Sequence, residues 1–206
     1  MKKPLLIAAM LMLTTSGVWS QQYFGSVYWS VATPTGQFRS FVNETSVAGF
    51  GLDVQWWASD HVSAGLVLGY NVWSDVYRGV TQQYKINDLQ GAVNGTQVHT
   101  VNSFTLMAGG RYLFGGSRDV RPFFGLAAGA VTSAQALEVS LVRFTETNWH
   151  LGVAPSVGLL IPMSFNSMLD LSARFSYGFP SGQALYNVSQ NTISFWSINA
   201  GFTFGN

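Results

Sequence analysis

The sequence predicts an all-β fold, a closed eight-stranded antiparallel up-and-down transmembrane β-barrel, and three observations carry that prediction. Most of the chain alternates apolar residues with small or polar ones at a period of two. The connections between alternating runs switch strictly between long and short. Charged residues make up only 9% of the 206, against roughly 25% in ordinary soluble proteins. Successive side chains of a strand point to opposite faces, so period-two alternation gives one face suited to hydrocarbon and one suited to a lumen. A chain that crosses lipid without an apolar helix has to close its sheet, because hydrocarbon satisfies no free backbone group.

The N-terminus reads as an export signal. Lys2 and Lys3 supply a positive start, Leu5 to Leu13 form an apolar stretch, and Val18 and Ser20 occupy the −3 and −1 cleavage positions. The apolar stretch is too short for a permanent span, so residues 1–20 are expected to be removed and 21–206 to form the barrel.

Each strand follows from its alternation. The first, Gly25 to Ala32, sets Val27, Trp29 and Val31 against Ser26, Tyr28 and Ser30. The second sets Phe50, Leu52, Val54 and Trp56 against Gly51, Asp53 and Gln55, and the third sets Val62, Ala64, Leu66, Leu68 and Tyr70 against Ser63, Gly65, Gly69 and Asn71. The fourth pairs Phe104, Leu106, Ala108 and Tyr112 with Ser103, Thr105, Gly109 and Arg111. The fifth sets Phe124, Leu126, Ala128 and Ala130 opposite Phe123, Gly125, Ala127 and Gly129. The sixth, Trp149 to Ile161, contains Pro155, which donates no ladder hydrogen bond and predicts a bulge. The seventh sets Leu169, Leu171, Ala173, Phe175 and Tyr177 against Asp170, Ser172, Arg174 and Ser176. The eighth sets Trp196, Ile198, Ala200, Phe202 and Phe204 against Ser197, Asn199, Gly201 and Thr203.

Long outer loops are expected near 33–46, 74–97, 132–147 and 178–192, with short periplasmic turns near 59–61, 114–119 and 162–167. Barrels of the outer membrane have this rhythm. The small residues of the polar face fit a narrow, packed lumen, whereas the bulky apolar face is too voluminous to be enclosed by eight strands. Asp53, Arg111, Asp170 and Arg174 are the charged residues inside the predicted spans, and all four fall on the small-residue face. Facing lipid, each Arg would cost roughly 2–4 kcal/mol at the midplane. Aromatic residues gather at two rims, Tyr23, Phe24, Trp56, Trp57, Tyr112, Phe114, Phe123, Phe202 and Phe204 at one, Tyr70, Trp73, Trp149, Tyr177, Phe195 and Trp196 at the other. Rings favour the headgroup level.

On signal, alternation, loop rhythm and C-terminal strand, the chain resembles the small eight-stranded outer-membrane barrels of Gram-negative bacteria, the OmpA/OmpX type. The resemblance implies a cell outer membrane address, outer-membrane lipids as surroundings and the barrel-assembly machinery as a partner during biogenesis. Members usually end on an aromatic residue, whereas here Gly205 and Asn206 follow Phe204 and displace that signal.

Little in the sequence points to chemistry. Without cysteine, disulfide, zinc-ribbon and thiol chemistry are excluded. A net charge of +1 with no basic stripe offers nucleic acid no footprint. His61, His99 and His150 stand apart from any second ligand at metal spacing, so no metal and no cofactor are expected. His61 and Ser63 share a face but fall at the periplasmic end, away from the lipid A leaflet, which disfavours a lipid-modifying enzyme. No catalytic residue is expected. Asp53, Arg111, Asp170 and Arg174 read as a charge network filling the lumen, or alternatively as the constriction of a narrow pore or transporter. The expected role is structural or surface-interaction, with an extracellular ligand met by the loops and Tyr77, Arg78, Tyr84 and Lys85 as contact residues.

Overall fold

A computed structural model describes residues 23–205 apart from 87–88, 117–118, 140–141, 165 and 181–191, with backbone alone at 79–86, 89–95, 139, 142 and 144. The export signal at 1–20 lies outside the described residues. Eight strands follow one another around a closed barrel: β1 (Tyr23–Pro34), β2 (Ser46–Ser59), β3 (Val62–Ile86), β4 (Leu89–Leu113), β5 (Arg121–Val139), β6 (Val142–Ser164), β7 (Ser167–Gly178) and β8 (Ile193–Gly205). All neighbours are antiparallel, and β8 closes on β1 through rungs such as Val27↔Phe202. One short helix, α1 (Phe38–Phe41), sits between β1 and β2. No described helix is long and apolar enough to cross a membrane, which says nothing about crossing by strands.

The alternation determines which way every strand faces. Rungs such as Leu52↔Leu68, Leu68↔Leu106 and Leu159↔Leu171 pair outward residues with outward residues. Leu66, Leu106, Leu126, Leu151 and Ile198 are exposed on the outer wall, while Ser26, Asp53, Ser63, Arg111 and Asn199 are buried inside. Between the ring of Tyr112 and Phe124 and that of Tyr70 and Trp149, the described outward residues include no charged side chain. A transmembrane barrel is the form in which such a wall is stable, because its apolar residues meet acyl chains instead of water.

Three features differ from the sequence expectation. The described residues of 74–97 and 132–147 continue the ladder: β3 and β4 pair from Val62↔Tyr112 out to Ile86↔Leu89, and β5 and β6 as far as Val139↔Val142. Their Val, Thr, Tyr and Phe content favours strand, and it outweighs the Asn94-Gly95 turn signal, which lies within the β4 ladder. About 9–11 residues cross a bilayer, so the 25 residues of β3 and of β4 carry their hairpin well beyond the apolar band. The 33–46 connection keeps its irregular part and folds α1 over the barrel mouth, and the 178–192 connection lies largely outside the described residues.

Pro155 causes no bulge. Its rung Leu126↔Pro155 keeps the β5–β6 register, and Val153↔Tyr177 and Ser156↔Arg174 on the other side are in step. The register shifts lie elsewhere, at Ser30/Ala32, Trp57/Ser59, Tyr77/Val80 and Pro162/Ser164. Finally, five rim aromatics point inward. Phe24, Phe123, Trp73 and Phe195 are buried and Trp57 packs beside Leu113, Phe123 and Leu160. Tyr23, Gly205 and the short turns lie at one end of the barrel, the terminal end; α1 and the long hairpins lie at the hairpin end.

Candidate functional site

The terminal half of the lumen is filled by charge. Asp53 on β2 is the hub, with no exposed surface. Its Oδ2 accepts from Arg111 Nη2 on β4 and, at 3.0 Å, from Arg174 Nη2 on β7. Its Oδ1 accepts from the Tyr28 hydroxyl at 3.0 Å. Arg174 Nη1 donates to that same hydroxyl at 2.8 Å, and Arg111 Nη1 reaches Asp170 Oδ2 at 3.3 Å. Two carboxylates and two guanidinium groups from three strands, β2, β4 and β7, therefore neutralise one another. A buried charge is tolerated only when paired and hydrogen-bonded in this way. Rings complete the packing, with the Arg111 guanidinium 4.6 Å from the Phe123 centroid and that of Arg174 5.4 Å from Tyr28.

Tyr28 lies within this network because its neighbours leave room. It is paired with Gly51 on β2 and Gly201 on β8. A Cβ at Gly51 would stand 2.3 Å from the Tyr28 ring, and one at Gly201 would stand 2.5 Å from its Cβ. Bare backbone on both flanking strands lets the phenol cross the lumen and reach Asp53.

The hairpin half holds an apolar cluster among buried polar residues such as Asn71, Ser103 and Gln135, where the sequence predicts a lumen of small and polar residues. Trp73, Val101, Met107, Val131, Ile193 and Phe195 form a buried cluster with Phe38, Phe41 and Val42 from the α1 segment. The Phe38 ring meets Trp73 edge-on at 5.1 Å, Trp73 meets Phe195 at 5.0 Å, and the indole Nε1 donates to the Ala32 carbonyl at 2.9 Å. Thr35 N–H donates to the Ser194 carbonyl while Ser194 Oγ donates back to Thr35, both at 2.9 Å. The segment 35–45 thus caps the mouth. Beside it, His150 bridges the Phe179 carbonyl at 3.0 Å and Ser133 Oγ at 3.1 Å, so the imidazole ties β5 and β6 to the start of the β7–β8 connection.

The structure brings Asp53, Arg111, Asp170 and Arg174 together and adds Tyr28, which sequence reading left among the small residues. The proposed contact residues behave differently. Arg78 is exposed, and Tyr77 is half-buried with its ring 4.8 Å from His99. Tyr84 and Lys85 are paired with Gly91 and Gln90 in the hairpin, and their side chains lie outside the described residues. Ser63 donates to Gln55 Oε1 at 3.1 Å, whereas the exposed His61 ring stacks on Tyr112; the two do not form a pair. Among the described residues no group of three His, Cys, Asp or Glu side chains stands ready for a metal.

No family model and no curated protein sequence matches the chain. Solved structures do. Neisserial surface protein A is 13% identical with a TM-score of 0.53, covering 92% of this chain and 99% of that one. The fold is that of the small eight-stranded outer-membrane barrels. The N-terminal barrel domain of OprF from Pseudomonas aeruginosa is also similar, at 13% identity and a TM-score of 0.46 over 90% of this chain and 100% of that one. Ail from Yersinia pestis gives 13% and 0.46 over 89% and 97%.

Proposed function

We propose that the protein is a non-enzymatic outer-membrane barrel whose filled lumen makes it a rigid support and whose hairpin end meets an extracellular ligand or surface. The observation that carries this reading is the contrast between the two ends. Inside the apolar band the lumen is occupied at two levels, by the Asp53 network and by the cluster around Trp73. Beyond the band β3 to β6 continue as a projecting sheet with Arg78, Arg143 and Val76 exposed. A rigid scaffold presenting protruding segments is the usual arrangement for recognition. In this reading outer-membrane lipids surround the barrel and the assembly machinery inserts it.

Purified protein in planar bilayers is expected to show no stable unitary conductance. Stable channels whose size changes in Arg174→Ala would support the narrow pore or transporter and overturn the filled strut. Trimming the β3–β4 hairpin at the Val76↔Val98 rung is expected to leave the heat-dependent gel shift of the folded barrel intact and abolish adherence of cells that display it. Undiminished adherence would contradict a role for the hairpin end.

A further inference from the structure

The segment 35–45 is held by a contact set unlike that of the strands. Its apolar side is Phe38, Phe41 and Val42, all buried in the lumen mouth. At one end Gly36, with φ of +56°, turns the chain beside the doubly bonded Thr35–Ser194 pair, which makes a pivot. At the other end Asn43 N–H donates to Asp75 Oδ2 at 3.1 Å, and Arg39 Nε donates to the Asn43 side chain at 2.6 Å. Between them, His99 Nδ1 lies 2.8 Å from the Phe41 carbonyl. A carbonyl only accepts, so Nδ1 carries the proton and donates. The imidazole is sandwiched between Phe41, 4.6 Å away, and Tyr77, 4.8 Å away. Its Nε2 is buried with no hydrogen-bond partner among the described residues.

We propose that residues 35–45 are a lid on the hairpin-end lumen, latched by neutral His99 and released when His99 takes up a second proton. Protonation adds an N–H at Nε2, where nothing described accepts it, and places a charge between two rings. The carboxylate best placed to answer that charge is Asp75, the residue opposite His99 on β3. Asp75 is already engaged by Asn43 of the lid and by the Tyr77 hydroxyl. Either the new donor stays unsatisfied or Asp75 turns from Asn43, and both loosen the lid. The other groups facing His99 do not titrate against this. Burial, the bond to Asp75 and the nearby Glu44 push Tyr77 up to about 12, so it remains neutral. Arg39 is tied to Asn43, and the β5 residue opposite His99 is Leu137.

Burial also lowers the His99 pKa below its ordinary 6.5, against the Phe41 carbonyl and Asp75, which favour the charged form. The closed state therefore binds protons less readily than the open one. Its advantage is complete above pH 6.5 and declines as pH falls toward the closed-state pKa. One proton of difference raises the open-to-closed ratio by up to tenfold per pH unit in that window.

The chain has no cysteine, so spin labels at Ser40→Cys on the lid and Asp119→Cys in a terminal-end turn report lid position by double electron–electron resonance. In lipid nanodiscs one narrow distance is expected at pH 8, with a second, broader population growing from pH 6.5 to 5. In His99→Asn, whose amide nitrogen takes the place of Nδ1 opposite the Phe41 carbonyl but takes up no charge, the pH 8 distance is expected throughout. Loss of the pH effect in this variant supports the latch; an unchanged wild-type distance, or equal opening in His99→Asn, overturns it. Nitrogen-15 NMR of histidine in the native sequence gives a test independent of the variant. The His99 midpoint must lie below 6.5 and coincide with the distance change, and a midpoint above 6.5 contradicts the proposal.

Discussion

Asp53→Ala is expected to lower the unfolding free energy by about 3–5 kcal/mol, the cost of breaking a buried charge pair by removing one partner. Asp53 holds both Arg111 and Arg174 and accepts from Tyr28, so its removal takes a carboxylate from two buried guanidinium groups. Arg111 keeps Asp170 at 3.3 Å, but Arg174 keeps only the phenol. Asp170→Ala, which removes a contact to Arg111 alone, is expected to cost less. Urea unfolding in lipid vesicles, followed by tryptophan fluorescence, measures both. Equal midpoints for Asp53→Ala and the parent would show that these four charges do not act as one unit.

The second large effect concerns the outer wall. Leu66→Arg is expected to cost about 2–4 kcal/mol, because Leu66 stands exposed on the apolar band and Arg carries that penalty near the bilayer midplane. Val76→Arg lies on the same strand and the same face, past the band, and is expected to cost about 0–1 kcal/mol. The same unfolding measurement compares them. Similar costs at both positions would mean that the exterior does not sample lipid by depth.

Side-chain parity made most of the barrel legible in the sequence. Asp53, Arg111, Asp170 and Arg174 share the small-residue face because a one-residue slip would turn all of them toward lipid. The same parity already placed Trp73 with Ser63 and Asn71, and Phe195 with Ser197 and Asn199. Assigning them to a rim by their distance along the strand overrode that signal, and with it the apolar upper lumen was missed. Tyr28 also had a readable cue, a ring on a face of serines flanked by Gly51 and Gly201, but their pairing depends on strand register, which no local pattern reveals. The extended β3–β4 hairpin is masked in the sequence by Asn94-Gly95, a turn signal that competes with the β-branched and aromatic residues around it. The contacts of α1 were not legible at all, since they join Phe41 to His99 across 58 positions of sequence.

Which side chains face lipid is tested directly by two tryptophans. Trp29 is 59% exposed on the outer wall, whereas Trp73 is 0% exposed inside it. Variants whose only tryptophan is Trp29 or Trp73, the others of the seven replaced by Phe, are folded into vesicles whose acyl chains carry bromine, which quenches indole on contact. The structure predicts strong quenching of Trp29 and little of Trp73. Quenching of Trp73 with Trp29 left bright would mean that the faces are reversed and that the wall described here does not meet the membrane.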